Sequence, residues 1–276
     1  MKDADLVSRH YTQGGLLAAI NAGVERLGKT LETVTVEDLG PVDEFHIGGR
    51  MATRRFLDEL AIGPDENVLD IGCGIGGTSR YAAKEYRCRV SGVDLTKEFI
   101  ETGTKLCCIL GVDSTVSLTH GSALDLEFDD ASFDKAFMLH VGMNISDKTT
   151  LASEVWRVLK PGAVFGIYDI MLIEPGAIDF PVPWASGPEG SALVSPEDYR
   201  RALATAGFKI VSEHSRREFA LEFFETLKTQ VAQSDGPPPL GLHIIMGPSA
   251  PTKIQNMVSS IAKGTIAPIE LIAVKA

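Results

Sequence analysis

The residues best placed to do chemistry lie in one short stretch, Val68-Leu69-Asp70-Ile71-Gly72-Cys73-Gly74-Ile75-Gly76-Gly77. A buried apolar run ends in a cluster of glycines, and a helical pattern follows. Glycines let the backbone turn sharply from strand to helix and let a ligand approach the main chain. The helix start beyond them presents unpaired N–H groups. Gly72, Gly74 and Gly77 fit the spacing G-x-G-x-x-G, the dinucleotide fingerprint. Asp94 follows Gly72 by 94 − 72 = 22 residues and closes the next apolar run, where it can hold ribose hydroxyls in either class of protein. Asp70 separates the two. A pyrophosphate near this turn is repelled by a carboxylate two residues upstream, whereas the sulfonium and ammonium of S-adenosylmethionine are attracted to it.

On these residues the region 67–170 resembles the core of class I S-adenosylmethionine-dependent methyltransferases. The small-molecule group around the ubiquinone/menaquinone C-methyltransferases, the sarcosine/dimethylglycine methyltransferases and the phosphoethanolamine methyltransferases is nearest in style. Phe128-Asp-Asp-Ala-Ser-Phe-Asp134, Arg157-Val-Leu-Lys-Pro-Gly162 and Phe45-His-Ile-Gly-Gly-Arg-Met-Ala-Thr53 carry the likeness further, so that it runs from Phe45 to the end. It implies that Asp70, Gly72, Cys73, Gly74 and Gly76 line the methionine end of the cofactor. By the same likeness Asp94 accepts the ribose hydroxyls, Leu95 flanks the adenine, and Ser122 and Ala123 meet its edge. His140 faces the sulfonium, and Gly48 and Gly49 close over the other side. Two positions depart from the pattern. Ser122 stands where relatives often carry an acid, and Asn144-Ile-Ser-Asp147-Lys148 replaces His-x-x-Asp-Lys.

The expected reaction is transfer of a methyl group to a small-molecule acceptor through N, O or C. Holding nucleophile and methyl in line can supply ~7–11 kcal/mol. A general base is needed only where the nucleophile must lose a proton. His140, His46 and Tyr11 are the candidates, and His140 is first because a histidine titrates near neutral pH. His243 and Asp169 are further from the pattern. Phe180, Trp184, Phe223, Phe224 and Met246 form a stripe of the kind that is more often core than pocket, and an apolar wall around the acceptor is its second reading. An NAD-dependent oxidoreductase and a non-catalytic S-adenosylmethionine-binding protein are the alternatives.

The elements that must position these residues alternate. Apolar strands at 67–71, 88–93, 115–118, 134–139 and 163–170 are separated by helical patterns at 78–86, 96–110 and 147–159. Such alternation implies right-handed crossovers and a mostly parallel sheet. A strand at 208–213 and a final strand in the last ten residues make seven. Helices are expected at 14–28, 51–60, after Ser195-Pro196, at 219–233 and at 251–262. The expected fold is therefore α/β, a Rossmann-like doubly wound sheet with N-terminal helices and a helical insertion before the last strand. The chain reads as one domain, with a helical cap at 1–62, a cofactor-binding core at 63–170 and acceptor-side loop, helices and strands at 171–276. Ligands of such sheets bind beyond the carboxyl ends of the strands.

Composition is consistent with this reading. The chain has 276 residues, 44% hydrophobic and 23% charged, with a net charge of 26 − 37 = −11. An acidic surface disfavours nucleic acid; Arg54-Arg55 reads as a solvated helix face. Cys73, Cys88, Cys107 and Cys108 lack metal-ligand or disulfide spacing, so no metal is expected and a reducing, cytoplasmic setting is. No apolar run reaches the ~18 residues of a membrane span, and the first residues lack a signal-peptide pattern. A small-molecule acceptor is the expected partner, and the C-terminal segment can serve as a lid or as the contact of a homodimer.

Overall fold

The computed structural model describes residues 2–233 and 236–276. Four helices come first: α1 (Lys2–Tyr11), α2 (Leu16–Arg26), α3 (Val36–Asp43) and α4 (Gly49–Glu59). The alternating part follows as β1 (Asn67–Ile71), α5 (Gly77–Tyr86), β2 (Arg89–Asp94), α6 (Lys97–Ile109), β3 (Val116–His120), β4 (Phe133–Leu139), α7 (Lys148–Val158) and β5 (Leu159–Leu172). The chain continues through α8 (Pro196–Ala206), β6 (Phe208–Ser215), α9 (Arg217–Ala232), the short α10 (His243–Met246), α11 (Ala250–Ala262) and β7 (Ile266–Lys275).

The seven strands form one sheet in the order β3-β2-β1-β4-β5-β7-β6. β1 to β5 run parallel, while β7 is antiparallel to both neighbours. The order reverses direction at β1, where β2 lies on one side and β4 on the other. That switch point opens a crevice at the carboxyl ends of the strands.

Alternation sorts the side chains between two layers. Leu69 and Ile71 face the core made with α7 and α8, together with Ala136, Met138, Val155 and Leu203. Val68, Phe137 and Tyr168 face the other core, with Phe56 and Leu57 of α4, Leu60 at its C-terminal cap and Ala82 of α5. Asp70 falls on this second face by the same period of two. It is buried beneath α5.

The two first helices of the cap differ in how they are held. α2 has no side-chain cap of its own and starts from Gly15 in the left-handed region. Its first amides are capped from α6 instead: Glu98 accepts from the backbone N–H of Gln13, Gly14 and Leu16 at 2.8, 2.9 and 3.0 Å. A carboxylate at a helix N-terminus also matches the helix dipole. Leu16, Ile20 and Val24 then pack with Leu39 and Val42 of α3 and Ile245 of α10. The cap and the second helical addition thus share one apolar cluster over the crevice.

α1 and α3 fall where no helix is expected from the sequence pattern. α3 has eight residues and contains Pro41, so its apolar period is short. Its start is nonetheless marked, because Thr35 and Asp38 form a reciprocal capping box. The same device opens α8, where Ser195 and Asp198 cap each other and Pro196 occupies the first position.

Candidate active site

A cavity of about 230 Å³ lies at the switch point. Its floor is the turn after β1 and its walls come from the ends of β2 and β4 and the segment after β3. Its roof comes from α1, α3 and α10. The lining includes Asp70, Gly72, Cys73, Gly74, Asp94, Leu95, Ser122, Ala123, His140, His46 and Tyr11. Eleven residues expected from the sequence therefore converge there.

The glycines of the turn do different jobs. Gly72 has φ +70°, and a Cβ on it would overlap the Val141 side chain. Gly74 has φ +56° and open space where a Cβ would stand, so its backbone faces the cavity without a screen. Gly77 admits α5 against α3, since a Cβ there would overlap the backbone of Asp43.

Asp94 closes the turn from β2. Its Oδ2 accepts from the Gly74 amide at 2.9 Å and its Oδ1 from the Thr96 amide at 2.7 Å. Burial raises this carboxyl, while the Thr96 and Gly74 amides pull it back. The Thr96 hydroxyl bonds this carboxylate as well, and the acceptor positions that remain can serve a ligand. Asp70, 2% exposed, accepts from the Ser79 hydroxyl at 2.6 Å. Burial first, and then the neighbouring Asp94 and Glu44, push its carboxyl up to about 7. A cation in the cavity would relieve that strain.

His140 follows β4 with φ +53°, in the left-handed region. Its ring lies 4.8 Å from Tyr168 and 6.0 Å from His46, centroid to centroid. Its Nε2 is buried with no partner. Burial, and then His46, hold its pKa well below the ordinary value, so the ring is neutral at pH 7. His46 is neutral as well, pushed down to about 4 by burial. The Thr53 hydroxyl donates to Glu44 at 2.6 Å and lies 2.9 Å from the His46 Nε2. With the hydroxyl hydrogen on Glu44, His46 donates to Thr53. Burial raises the Tyr11 phenol, which stays protonated and donates to Asn144 Oδ1 at 2.9 Å.

Asn144 joins three segments. Besides accepting from α1, its Nδ2 donates to the carbonyls of Trp184 and Gly190 at 2.8 and 3.2 Å. His10 adds contacts to Ser186 Oγ and the Pro183 carbonyl at 3.1 and 3.0 Å. Beneath the roof Arg80 is fully buried, with Nη2 on Asp43 at 2.6 Å and Nη1 on the Ile75 carbonyl at 2.6 Å. Its guanidinium is held charged by Asp43.

Several expected residues lie elsewhere. Gly48 and Gly49 begin α4, and a Cβ on Gly48 would overlap Phe219 and Ala52 rather than enter the cavity. Gly76 is the N-cap of α5 and faces Leu118 and Arg80. Asp169 is buried behind the wall, accepting from the Tyr199 hydroxyl at 2.5 Å, and its carboxyl is pushed up to about 6 by burial. His243 sits on α10 outside the lining. The aromatic stripe is core, the first of its two readings. Phe180, Trp184, Phe223 and Phe224 pack in a core cluster with Met257 and Ile261 of α11, and Met246 is buried outside the lining. The apolar surface of the cavity includes Val7, Phe45, Val141, Ile145 and Ile245 instead. Phe45 and Asn144 stood in quoted motifs. Val7 and Ile245 carried no signal, because only the tertiary fold brings α1 and α10 over the strand ends.

Among the described residues no group of three or more His, Cys, Asp or Glu could hold a metal ion. The four cysteines are free thiols. No helix among the described residues is long and apolar enough to cross a membrane.

Residues 69–167 match a family model described as "Methyltransferase domain". The O-methyltransferase cnsE of Penicillium expansum is 30% identical over 196 residues, 70% of each chain. The sterol 24-C-methyltransferase of Eremothecium gossypii is 31% identical over 157 residues, 55% of this chain. That alignment spans only 42% of the sterol enzyme, so the chain covers less than half of this relative. Among solved structures, geranyl diphosphate C-methyltransferase from Streptomyces coelicolor A3(2), crystallised with Mg2+, geranyl-S-thiolodiphosphate and S-adenosyl-L-homocysteine, superposes with a TM-score of 0.73 at 20% identity. The match covers 100% of this chain and 99% of that one, and at that identity it is a likeness of fold.

Proposed function

The chain belongs to the class I S-adenosylmethionine-dependent methyltransferases, and from that premise we propose that it transfers a methyl group from S-adenosylmethionine to a small-molecule acceptor. One observation carries the reading. The bare backbone of Gly74 and the doubly anchored Asp94 face one cavity together with the buried carboxyl of Asp70. This donor set fits a cationic nucleoside without phosphate. A dinucleotide would bring its pyrophosphate against Asp70, which disfavours the oxidoreductase alternative.

In this reading Asp94 takes the ribose hydroxyls, Ser122 and Ala123 border the base, and Asp70, with the Gly72–Gly74 backbone, borders the methionine end. When bound, the cofactor supplies a methyl carbon on a positively charged sulfur. Everything else is done by the chain. Tyr11 and Asn144 draw α1 and the 180–190 loop over the cavity and keep water out. His140 and His46 stay neutral there, and the Tyr11 phenol stays protonated. In-line orientation of this kind can supply ~7–11 kcal/mol. We read 1–62 as a cap, 63–170 as the cofactor-binding core and 171–276 as the acceptor side of one domain. The protein works in the cytoplasm without nucleic acid, and the C-terminal segment is open to a homodimer contact.

Calorimetric titration with S-adenosylmethionine, comparing the wild type with Asp94→Ala, tests the reading. Loss of the ribose hydrogen bonds should cost on the order of 1.5–3 kcal/mol, roughly a tenfold or larger weakening. Binding that ignores Asp94, or NADH binding in its place, would overturn it.

A further inference from the structure

Three buried titratable side chains stand behind the cavity wall: Lys148 on α7, Asp169 on β5 and Tyr199 on α8. The Tyr199 hydroxyl donates to Asp169 Oδ2. The Lys148 ammonium lies 5.3 Å from the centre of the Tyr199 ring. Lysine and aspartate are seldom this buried. Burial works against both charges, raising the Asp169 carboxyl and lowering the Lys148 ammonium. Buried opposite charges are often no more stabilising than well-packed apolar side chains of the same volume. What they supply is hydrogen bonds of fixed direction, and here those bonds converge on one segment.

That segment is the turn after β4. The Gly142 amide bonds the Asp169 carboxylate, and Lys148 Nζ donates to the Ile145 carbonyl. The turn is thus gripped near both ends. Between them it is closed by its own bonds, from the Asn144 amide to the Val141 carbonyl at 3.0 Å and from the Ile145 amide to the Gly142 carbonyl at 2.8 Å. Lys148 also donates to the Ala192 carbonyl at 3.0 Å, and the Ala192 amide donates to the Met143 carbonyl at 2.7 Å. The fit leaves no slack, because a Cβ on Gly142 would overlap the Tyr199 hydroxyl and Asp169 Oδ2. On its other side the turn gives Val141, Asn144, Ile145 and Ser146 to the cavity. Val141 fills the space in front of Gly72, where a Cβ would overlap it.

Resting on the proposed methyl transfer from S-adenosylmethionine, we propose that Lys148, Asp169 and Tyr199 form one positioning unit for that reaction. All three stand outside the cavity lining and act through the turn. The Asp169–Tyr199 pair sets how closely Val141 approaches Gly72, and so the width of the methionine end. Lys148 sets where Ile145 stands beside it. In-line attack on the methyl carbon tolerates little displacement, which gives these buried charges a use that packing alone does not.

The test compares two ligands that share a nucleoside. S-adenosylhomocysteine carries the amino-acid arm, and 5′-methylthioadenosine lacks it. Lys148→Met would leave the Ile145 and Ala192 carbonyls unpaired and Asp169 without its counter-charge, so milder variants of the full chain are used. Tyr199→Phe removes one hydroxyl. Gly142→Ala presses on the same contact from the turn and removes no charge. By calorimetry each should weaken S-adenosylhomocysteine roughly three- to tenfold and leave 5′-methylthioadenosine within about twofold of the wild type. Hydrogen exchange should quicken at 141–146 and stay unchanged in β4. Because the two variants disturb one contact, the double variant should lose no more affinity than the worse single one. Equal weakening of both ligands, or faster exchange throughout the sheet, is what a merely structural role gives, and it overturns the proposal. Unchanged S-adenosylhomocysteine affinity or additive losses overturn it as well. A wild type that does not bind S-adenosylhomocysteine sinks the methyltransferase reading and this proposal with it, whereas wild-type binding with indifferent variants sinks only the proposal.

Discussion

Asp70→Asn gives a sharp test of the electrostatics of the cavity. The folded protein holds this carboxyl at about 7, mainly through burial, against an ordinary value of 3.8. A carboxyl raised on folding contributes stability that is fully present below its unfolded pKa and is lost as pH rises through its folded pKa. Three pKa units correspond to about 4 kcal/mol, of which about 2.5 kcal/mol falls between pH 5 and pH 8. Asparagine keeps an oxygen for the Ser79 hydroxyl and removes the titration. Urea unfolding of the ligand-free protein at pH 5, 6.5 and 8 measures the difference between variant and wild type, so that all other titrations cancel. The variant should gain about 2.5 kcal/mol on the wild type between the first and last pH. A cationic ligand should act in the opposite sense: S-adenosylmethionine should stabilise the wild type more than the variant at pH 8. Its binding near pH 7 should release protons, which calorimetry in two buffers of different ionisation enthalpy detects. A stability difference independent of pH would refute the assignment of strain to Asp70.

Three further outcomes are expected. Gly72→Ala forces a left-handed backbone on alanine and drives its methyl into Val141, and should cost roughly 1–3 kcal/mol in thermal unfolding. Asp43→Ala leaves Arg80 charged, buried and unpaired, and should cost about 3–5 kcal/mol; Asp43→Ala with Arg80→Met should recover part of it in denaturant titration. Tyr11→Phe removes one hydrogen bond to Asn144, worth about 0.5–1.5 kcal/mol, and should speed hydrogen exchange in α1 while leaving the sheet unchanged.

The parts legible in the sequence were those governed by local rules. Short apolar runs marked β1 and β4, and Asp70 could be assigned to the cavity because it sits two residues before a glycine turn. Asp94 could be placed because strand ends are fixed by spacing. α3 went unread because eight residues interrupted by Pro41 show little helical period, although Thr35 and Asp38 announce its start. The aromatic stripe is core for a physical reason. Phe223 and Phe224 of α9 pack with α11, which gives them an interior without help from a ligand. Gly48 read as a cofactor clamp because a glycine pair looks like a loop, whereas its open side is already filled by Phe219. The true roof joins Val7 to Ile245, residues that no local pattern could connect.

The left-handed turn at His140 has a consequence for what this protein can become. A strand sends successive side chains to opposite faces. Leu139 packs in the cluster on the α4–α5 side of the sheet. The His140 ring, which follows it, lies against Tyr168 and His46 on that same side. Positive φ is what brings two neighbours to one side. Such a backbone accepts glycine, asparagine, aspartate and histidine readily and β-branched residues poorly. Mutational drift at position 140 is thereby confined to a handful of side chains, all of them small or hydrogen-bonding. A lineage leaving histidine would exchange it for another polar group, or for none, before it could fill the space with valine or isoleucine.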